Sequence, residues 1–225
     1  MYTTEKNQMA IVLKKNANTE NSSSLDALLK PYKTFVSLSD GISAIVFDAS
    51  PKISETGTVT YTPRNIPHLP TSLNYFESVS ARTFSVSDIK FISRTNFEAE
   101  QNKKARHIIK SWSKNSFGIN NADGFKLGMP PKILLFRAYC SDTGIKEPGT
   151  EAGEEIPVGG INDIPVVITQ FDFDWPNDVD YIADAVGNPT PIIQTCSLGL
   201  LEMHSPQQIT QFDFEAFKNG TLLNW

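Results

Sequence analysis

The chain has 225 residues, with 20 Lys and Arg against 25 Asp and Glu, three His, two Cys, 40% apolar and 10% aromatic residues. Its net charge of −5 conceals an asymmetry: residues 1–140 carry 18 basic and 11 acidic side chains (net +7), while 141–225 carry 2 and 14 (net −12). That length fits one large domain or two small ones, and the split charge excludes a uniformly basic nucleic-acid-binding surface, favouring complementary assembly faces or one acidic surface. The longest early apolar run, Met9 to Leu13, is too short for a signal-peptide core or a bilayer span, so a soluble protein made in the cytoplasm is expected. Cys140 and Cys196 are too few for a disulfide framework and read as small buried apolar residues.

Residues 1–32 are polar, with the low-complexity stretch NANTENSSS at 16–24, and read as a flexible or partner-docked arm ahead of a single domain at 33–225. Short β-like runs follow at 34–38, 43–47 and 58–62, then a loop punctuated by Pro63, Pro67 and Pro70. Residues 79–93 alternate clearly, but the apolar side switches at Asp88, as a bulge or a strand changing layers would require.

Thr95 and Glu98 form a capping box, and Phe97, Gln101, Ala105, Ile108 and Trp112 recur at helical spacing as the expected core stripe. Lys103, Lys104, Arg106, Lys110 and Lys114 are placed on the opposite, basic face. Asn115 to Gly118 ends the helix, a Gly/Asn/Asp-rich loop follows, and Lys132 to Tyr139 reads as a strand apolar on both faces, hence central. Residues 141–163 are rich in acids, Gly and Pro and read as a long exposed acidic loop. Strands are expected at 166–173 and 191–203, and Gln207 to Trp225 as a short strand or an irregular docked tail. The whole is mainly β, a sandwich or rolled barrel with one flanking helix, whose sheet edges must be blocked or used.

Chemical motifs are sparse. No phosphate-binding glycine loop is present, and His68, His107 and His204 share no metal-ligand spacing, so neither a cofactor nor a metal is expected. No nucleophile elbow surrounds any serine. The one dense constellation is Asp172, Asp174, Asp178, Asp180 and Asp184 around Trp175. It reads as a carboxylate row turned to solvent with Phe171 and Phe173 inward, as a calcium loop lacking the EF-hand Gly and Glu, as a glycosidic acid/base pair, or as an acidic functional surface.

Taken in order, RTFSVSDIKFIS (82–93), the amphipathic helix ending in Trp112, the strand after it, the strand running into Trp175-Pro176, and SLGLLEMHSPQQITQFDF (197–214) resemble the tail-tube family of contractile-tailed bacteriophages, over about 79–217. Within that family the chain looks most like baseplate proteins that begin the tube, because the N-terminal third and the acidic insertion depart from the short tube-protein pattern. The resemblance implies a β-sandwich-like subunit whose strands join between neighbours into a ring barrel, six subunits around a DNA-wide channel. It implies no enzyme, no small-molecule substrate and no cofactor. Its partners would be its own copies, the baseplate hub, tail-tube subunits and surrounding baseplate proteins, in a virion assembled in the host cytoplasm.

Carboxylates repel phosphates where lysines would hold them, so some of Asp172, Asp174, Asp178 and Asp180, or acids of the 141–163 loop, are expected at the bore or an adjoining ring, with DNA passing without sequence-specific binding. The helix face of Lys103, Lys104, Arg106 and Lys110 would meet a neighbour. The main tube subunit and a carbohydrate-binding sandwich, stacking a sugar on Trp175 or Tyr181, are the alternatives.

Overall fold

The structure is a computed structural model that describes residues 11–14, 36–47, 51–68, 70–120, 124–139, 161–184, 186–218, 222 and 225. Among them are strands β1 (Ile11–Lys14), β2 (Val36–Ser39), β3 (Ser43–Phe47), β4 (Lys52–Thr56), β5 (Val59–Arg64), β6 (Leu73–Val79), β7 (Thr83–Ile92), β8 (Ser116–Asn120) and β9 (Gly124–Met129). They continue with β10 (Leu134–Ala138), β11 (Ile161–Asp174), β12 (Tyr181–Ala183), β13 (Pro189–Pro191) and β14 (Ile193–Glu202). The helices are α1 (Asn96–Trp112), α2 (Pro206–Thr210) and α3 (Phe214–Lys218).

Eight strands form one antiparallel sheet in the order β1, β3, β2, β10, β11, β14, β7, β4, and three two-stranded ribbons stand apart from it. The fold is mainly β and sandwich-like, because this sheet folds over on itself. Phe84 of β7 meets Phe136 of β10 edge to face with ring centroids 5.4 Å apart, although two strands separate theirs in the sheet. Phe47 of β3 likewise reaches Phe91 of β7 at 6.5 Å. The strand shared by both layers is β11, whose first part pairs with β10 (Leu134 opposite Val166) and whose remainder pairs with β14 (Asp174 opposite Thr195). A bulge leaves Thr169 unopposed between Ile168 and Gln170, and Gly199 faces it. A Cβ at Gly199 would stand 3.1 Å from Thr169 Oγ1, so a side chain there would crowd the bulge.

The parity switch at Asp88 has a different cause. Ile89 pairs with Cys196 and Val86 with Leu198, so Ser87 and Asp88 together oppose Ser197. Asp88 takes φ +59°, and Phe84, Val86, Ile89 and Phe91 all stay in the core. The bulge lets one strand bury apolar residues of both parities on one face.

The helix exists where its capping box predicts it: Thr95 Oγ1 accepts from the Glu98 N–H at 3.2 Å, and Glu98 Oε2 accepts from the Thr95 N–H. Its buried face is rotated from the expected stripe. Ala99, Asn102, Ala105, Arg106, Ile109 and Trp112 are buried, Phe97 is 60% exposed and Ile108 is only half-buried. The cause is polar: Asn102 Nδ2 donates to the Ile92 carbonyl (3.0 Å) and to Ser93 Oγ (2.9 Å), which sets the helix phase independently of the apolar spacing.

Several boundaries change with pairing. Ile11–Lys14, inside the expected arm, is an edge strand on β3, and the rest of 1–32 lies outside the described residues. The expected acidic loop also lies outside them, except that Ile161 to Asp163 already belong to β11, with Asp163 paired to Arg137. The segment from 207 holds two short helices; α2 is started by a second capping box between Ser205 and Gln208. β10 does run inside the sheet, with Leu134, Phe136 and Ala138 buried and Leu135 40% exposed on the other face.

Candidate assembly surfaces

The acidic residues separate into two kinds. Asp172 and Asp174 are exposed on β11 while Phe171 and Phe173 pack against the core, and Asp178 and Asp180 are exposed beyond Trp175. Asp184 is a buried structural group. Its carboxylate pairs with Lys103 and accepts the Val186 and Asn188 N–H groups at 3.0 and 2.7 Å, and these bonds hold it well below the usual carboxylate range, Lys103 contributing most. A calcium loop or a paired acid/base built on the whole set is therefore missing one member. Among the described residues, no group of three or more His, Cys, Asp or Glu is placed to hold a metal ion.

The expected basic helix face is also divided. Lys104 is exposed and paired with Glu100, and Lys110 is exposed with its Nζ 5.4 Å from the Phe173 ring centroid. Lys103 is committed to Asp184. Arg106 does not belong to the face at all. It is 7% exposed, its guanidinium lies 4.8 Å over the Trp175 ring, and burial lowers its pKa. A flat, delocalised cation tolerates such a seat against an aromatic face where an ammonium would not.

Among the described residues, one exposed apolar feature is of a kind that composition alone could not locate. All residues of β5 and β6 are exposed, and this ribbon stands clear of the folded sheet. Its register sorts the side chains: Val59 opposes Val79, Tyr61 opposes Phe76 and Pro63 opposes Asn74 on one face. Thr60, Ser78, Thr62, Tyr75, Arg64 and Leu73 occupy the other, where Thr62 Oγ1 donates to Glu77 at 2.6 Å. The first face is almost wholly apolar, its Tyr61 and Phe76 rings meet edge to face at 6.0 Å, and Val79 is 64% exposed. A lone hairpin is at best marginally stable in water, and an exposed apolar face of this kind marks an interaction site.

The hairpin's root is fixed firmly. Arg82 Nε and Nη2 make a forked contact to Glu202 at 3.0 and 2.7 Å, and Nη1 reaches Glu55 of β4 at 3.0 Å. Glu202 also meets His204 Nε2 at 2.7 Å, and the His204 ring stacks on Trp225 at 3.8 Å. Burial opposes the charge on Glu202, yet the bonds from Arg82 and His204 outweigh it and hold the carboxyl at about 2. Cys196 is buried and its thiol is pushed up to about 12, by burial first and Asp172 second, so it is inert at neutral pH. Cys140 lies outside the described residues.

No family model matches the chain, and no curated protein matches it. No helix among the described residues is long and apolar enough to cross a membrane.

Proposed function

We propose that this chain is a structural assembly subunit of a phage tail, a baseplate tube initiator forming a six-membered ring that continues the hub channel, starts the tube and lets DNA pass. The observation that carries the reading is the β5–β6 hairpin, which keeps an apolar face of Val59, Tyr61, Phe76 and Val79 in solvent while its root is locked by Arg82. An isolated subunit gains nothing from such a hairpin, whereas a neighbour that covers it removes the apolar surface from water. Among the described residues the sheet ends at β1 and β4, whose outer edges offer backbone groups for strand pairing between subunits, as a ring barrel needs. Exposed Asp172, Asp174, Asp178 and Asp180 suit a surface that DNA passes without sticking.

The test is negative-stain imaging of the chain co-expressed with its neighbouring tail proteins. Rings or stacked rings are the expected particles, and Tyr61→Ser/Phe76→Ser should abolish them; a fully monomeric chain with every partner defeats the reading. The same particles, if they grow into long tubes of this chain alone, would make it the main tube subunit. A carbohydrate-binding sandwich is favoured by one observation, the 56% exposed Trp175 held flat by Arg106. Glycan binding that is lost in Trp175→Ala, without rings, would establish that reading instead.

A further inference from the structure

At the C-terminal end of α1 lies an open cleft of about 700 Å³, lined by Trp112, Ile108 and Pro130 and bordered by Lys110, Lys114 and Lys132. Asp40 anchors its inner wall. It accepts from Ile42 and Ser43 N–H at 3.0 and 2.7 Å, from Trp112 Nε1 at 3.2 Å, and from Lys132 at 2.8 Å. Three lysines thus stand against one carboxylate, over an apolar floor.

We propose that this cleft receives the acidic connection 140–160 of a second copy of the chain, so that copies join end to end. The inference rests on the self-assembly reading above and gives it a specific contact. The connection carries Asp142, Glu147, Glu151, Glu154 and Glu155 against Lys146 alone, the charge that the cleft lacks.

The acidic connection is rooted away from the cleft, and on the assembly reading its donor is another copy. β10 runs from Leu134, two residues after Lys132 at the cleft rim, to Ala138, after which the connection departs. The connection returns at Ile161, opposite Ala138. Cleft and connection are therefore rooted at opposite ends of one strand, roughly 17 Å apart at ~3.3 Å per residue. Exposed Asp180 also lies away from the cleft, near the other end of α1. The Asp180 carbonyl accepts from Ile192, whose own carbonyl accepts from Ser93 just before the N-terminus of α1, while the cleft lies at the C-terminus.

Packed cleft to cleft across a two-fold axis, two copies would set lysines against lysines, whereas a reciprocal exchange of connections would close a dimer. A head-to-tail contact sets the lysines against carboxylates, and such contacts close into rings or extend as stacks. Single exposed ion pairs contribute little, so the contact draws on several together with the apolar floor and weakens with salt.

The test uses a fluorescent synthetic peptide of residues 140–160 and the purified full chain, both unmodified and carrying E151K/E154K/E155K. Anisotropy should report binding that drops about tenfold or more in K110E/K114E and in ~1 M salt, where the Debye length is about 3 Å. Lys110 and Lys114 are exposed, so circular dichroism of that variant should stay unchanged. Sedimentation then examines the two variants mixed: each alone should remain monomeric, and the mixture should associate, because both pairings between the two variants set opposite charges together.

Undiminished peptide binding to K110E/K114E, or none to any chain, overturns the proposal. So does peptide binding only to the E151K/E154K/E155K chain with a monomeric mixture, which would mean that each chain fills its own cleft. Rings on the hub that persist in K110E/K114E would remove this contact and leave the ring reading standing. The absence of rings with intact peptide binding would do the reverse.

Discussion

The folded sheet and the β5–β6 hairpin are built from the same kinds of residue, yet they end in opposite environments. Phe84, Val86, Phe136 and Leu200 are at most 1% exposed, whereas Val59, Tyr61, Phe76 and Val79 are at least half exposed. Both regions alternate, and both are antiparallel. The difference lies in what faces them: β11 bends so that two layers cover each other, while the hairpin extends past the end of β4 and β7 with no second layer among the described residues. Alternation therefore reports that a face is apolar, and only topology reports whether the molecule covers that face itself.

This comparison can be broken most severely in the core. Phe136→Ala should destabilise by about 3–5 kcal/mol through a cavity between the layers, measured by urea unfolding. Arg82→Ala should cost nearly as much, about 3 kcal/mol, because it leaves the Glu202 carboxylate buried without its fork; Arg82→Ala/Glu202→Gln should recover part of that loss.

Acid should weaken the same root. The Glu202 carboxyl is held at about 2 when folded, against 4.5 as a free group, so the unfolded chain binds its proton first as pH falls. The stabilisation is fully present above about pH 4.5 and is lost as pH drops towards 2. Thermal melts of the parent should therefore fall across that window, and Glu202→Gln should flatten the fall; identical slopes would contradict the assignment.

Smaller effects sharpen the contrast. Thr95→Ala should remove the helix cap at about 1 kcal/mol. Tyr61→Ser/Phe76→Ser should move the stability of the isolated chain by about 0.5 kcal/mol or less, since both rings are already wet, while eliminating assembled particles. A large loss of monomer stability in that double variant would show that the hairpin packs at home.

The helix shows how far the sequence could be read. Its start was legible because a capping box is a local, stereochemically defined signal, and its core residues Ala105 and Trp112 were placed correctly. Phe97 was not, and Ile108 meets the core only half-buried, because a partly apolar helix offers adjacent stripes, and the bonds from Asn102 to Ile92 and Ser93 chose between them. Arg106 could not be separated from its lysine neighbours by spacing, since its destination is Trp175, 69 positions later. Asp184 was one of five similar carboxylates until Lys103 came to meet it. The bulge at Asp88 was legible as a break in parity. That β11 carries the bend between layers was not read, although its inward residues also change parity, from Ile164, Val166 and Ile168 to Phe171 and Phe173.

The sequence by itself determined a mainly β chain, the cap of its one long helix, the alternating strands and a division of charge between its two parts, all of which follow from periods and compositions within a few residues. The tertiary structure decided which apolar faces are covered, which ionised side chains are locked into pairs, and that the cleft and the root of the acidic connection lie at opposite ends of β10. Those outcomes depend on contacts between residues tens of positions apart, where neither propensity nor periodicity carries information.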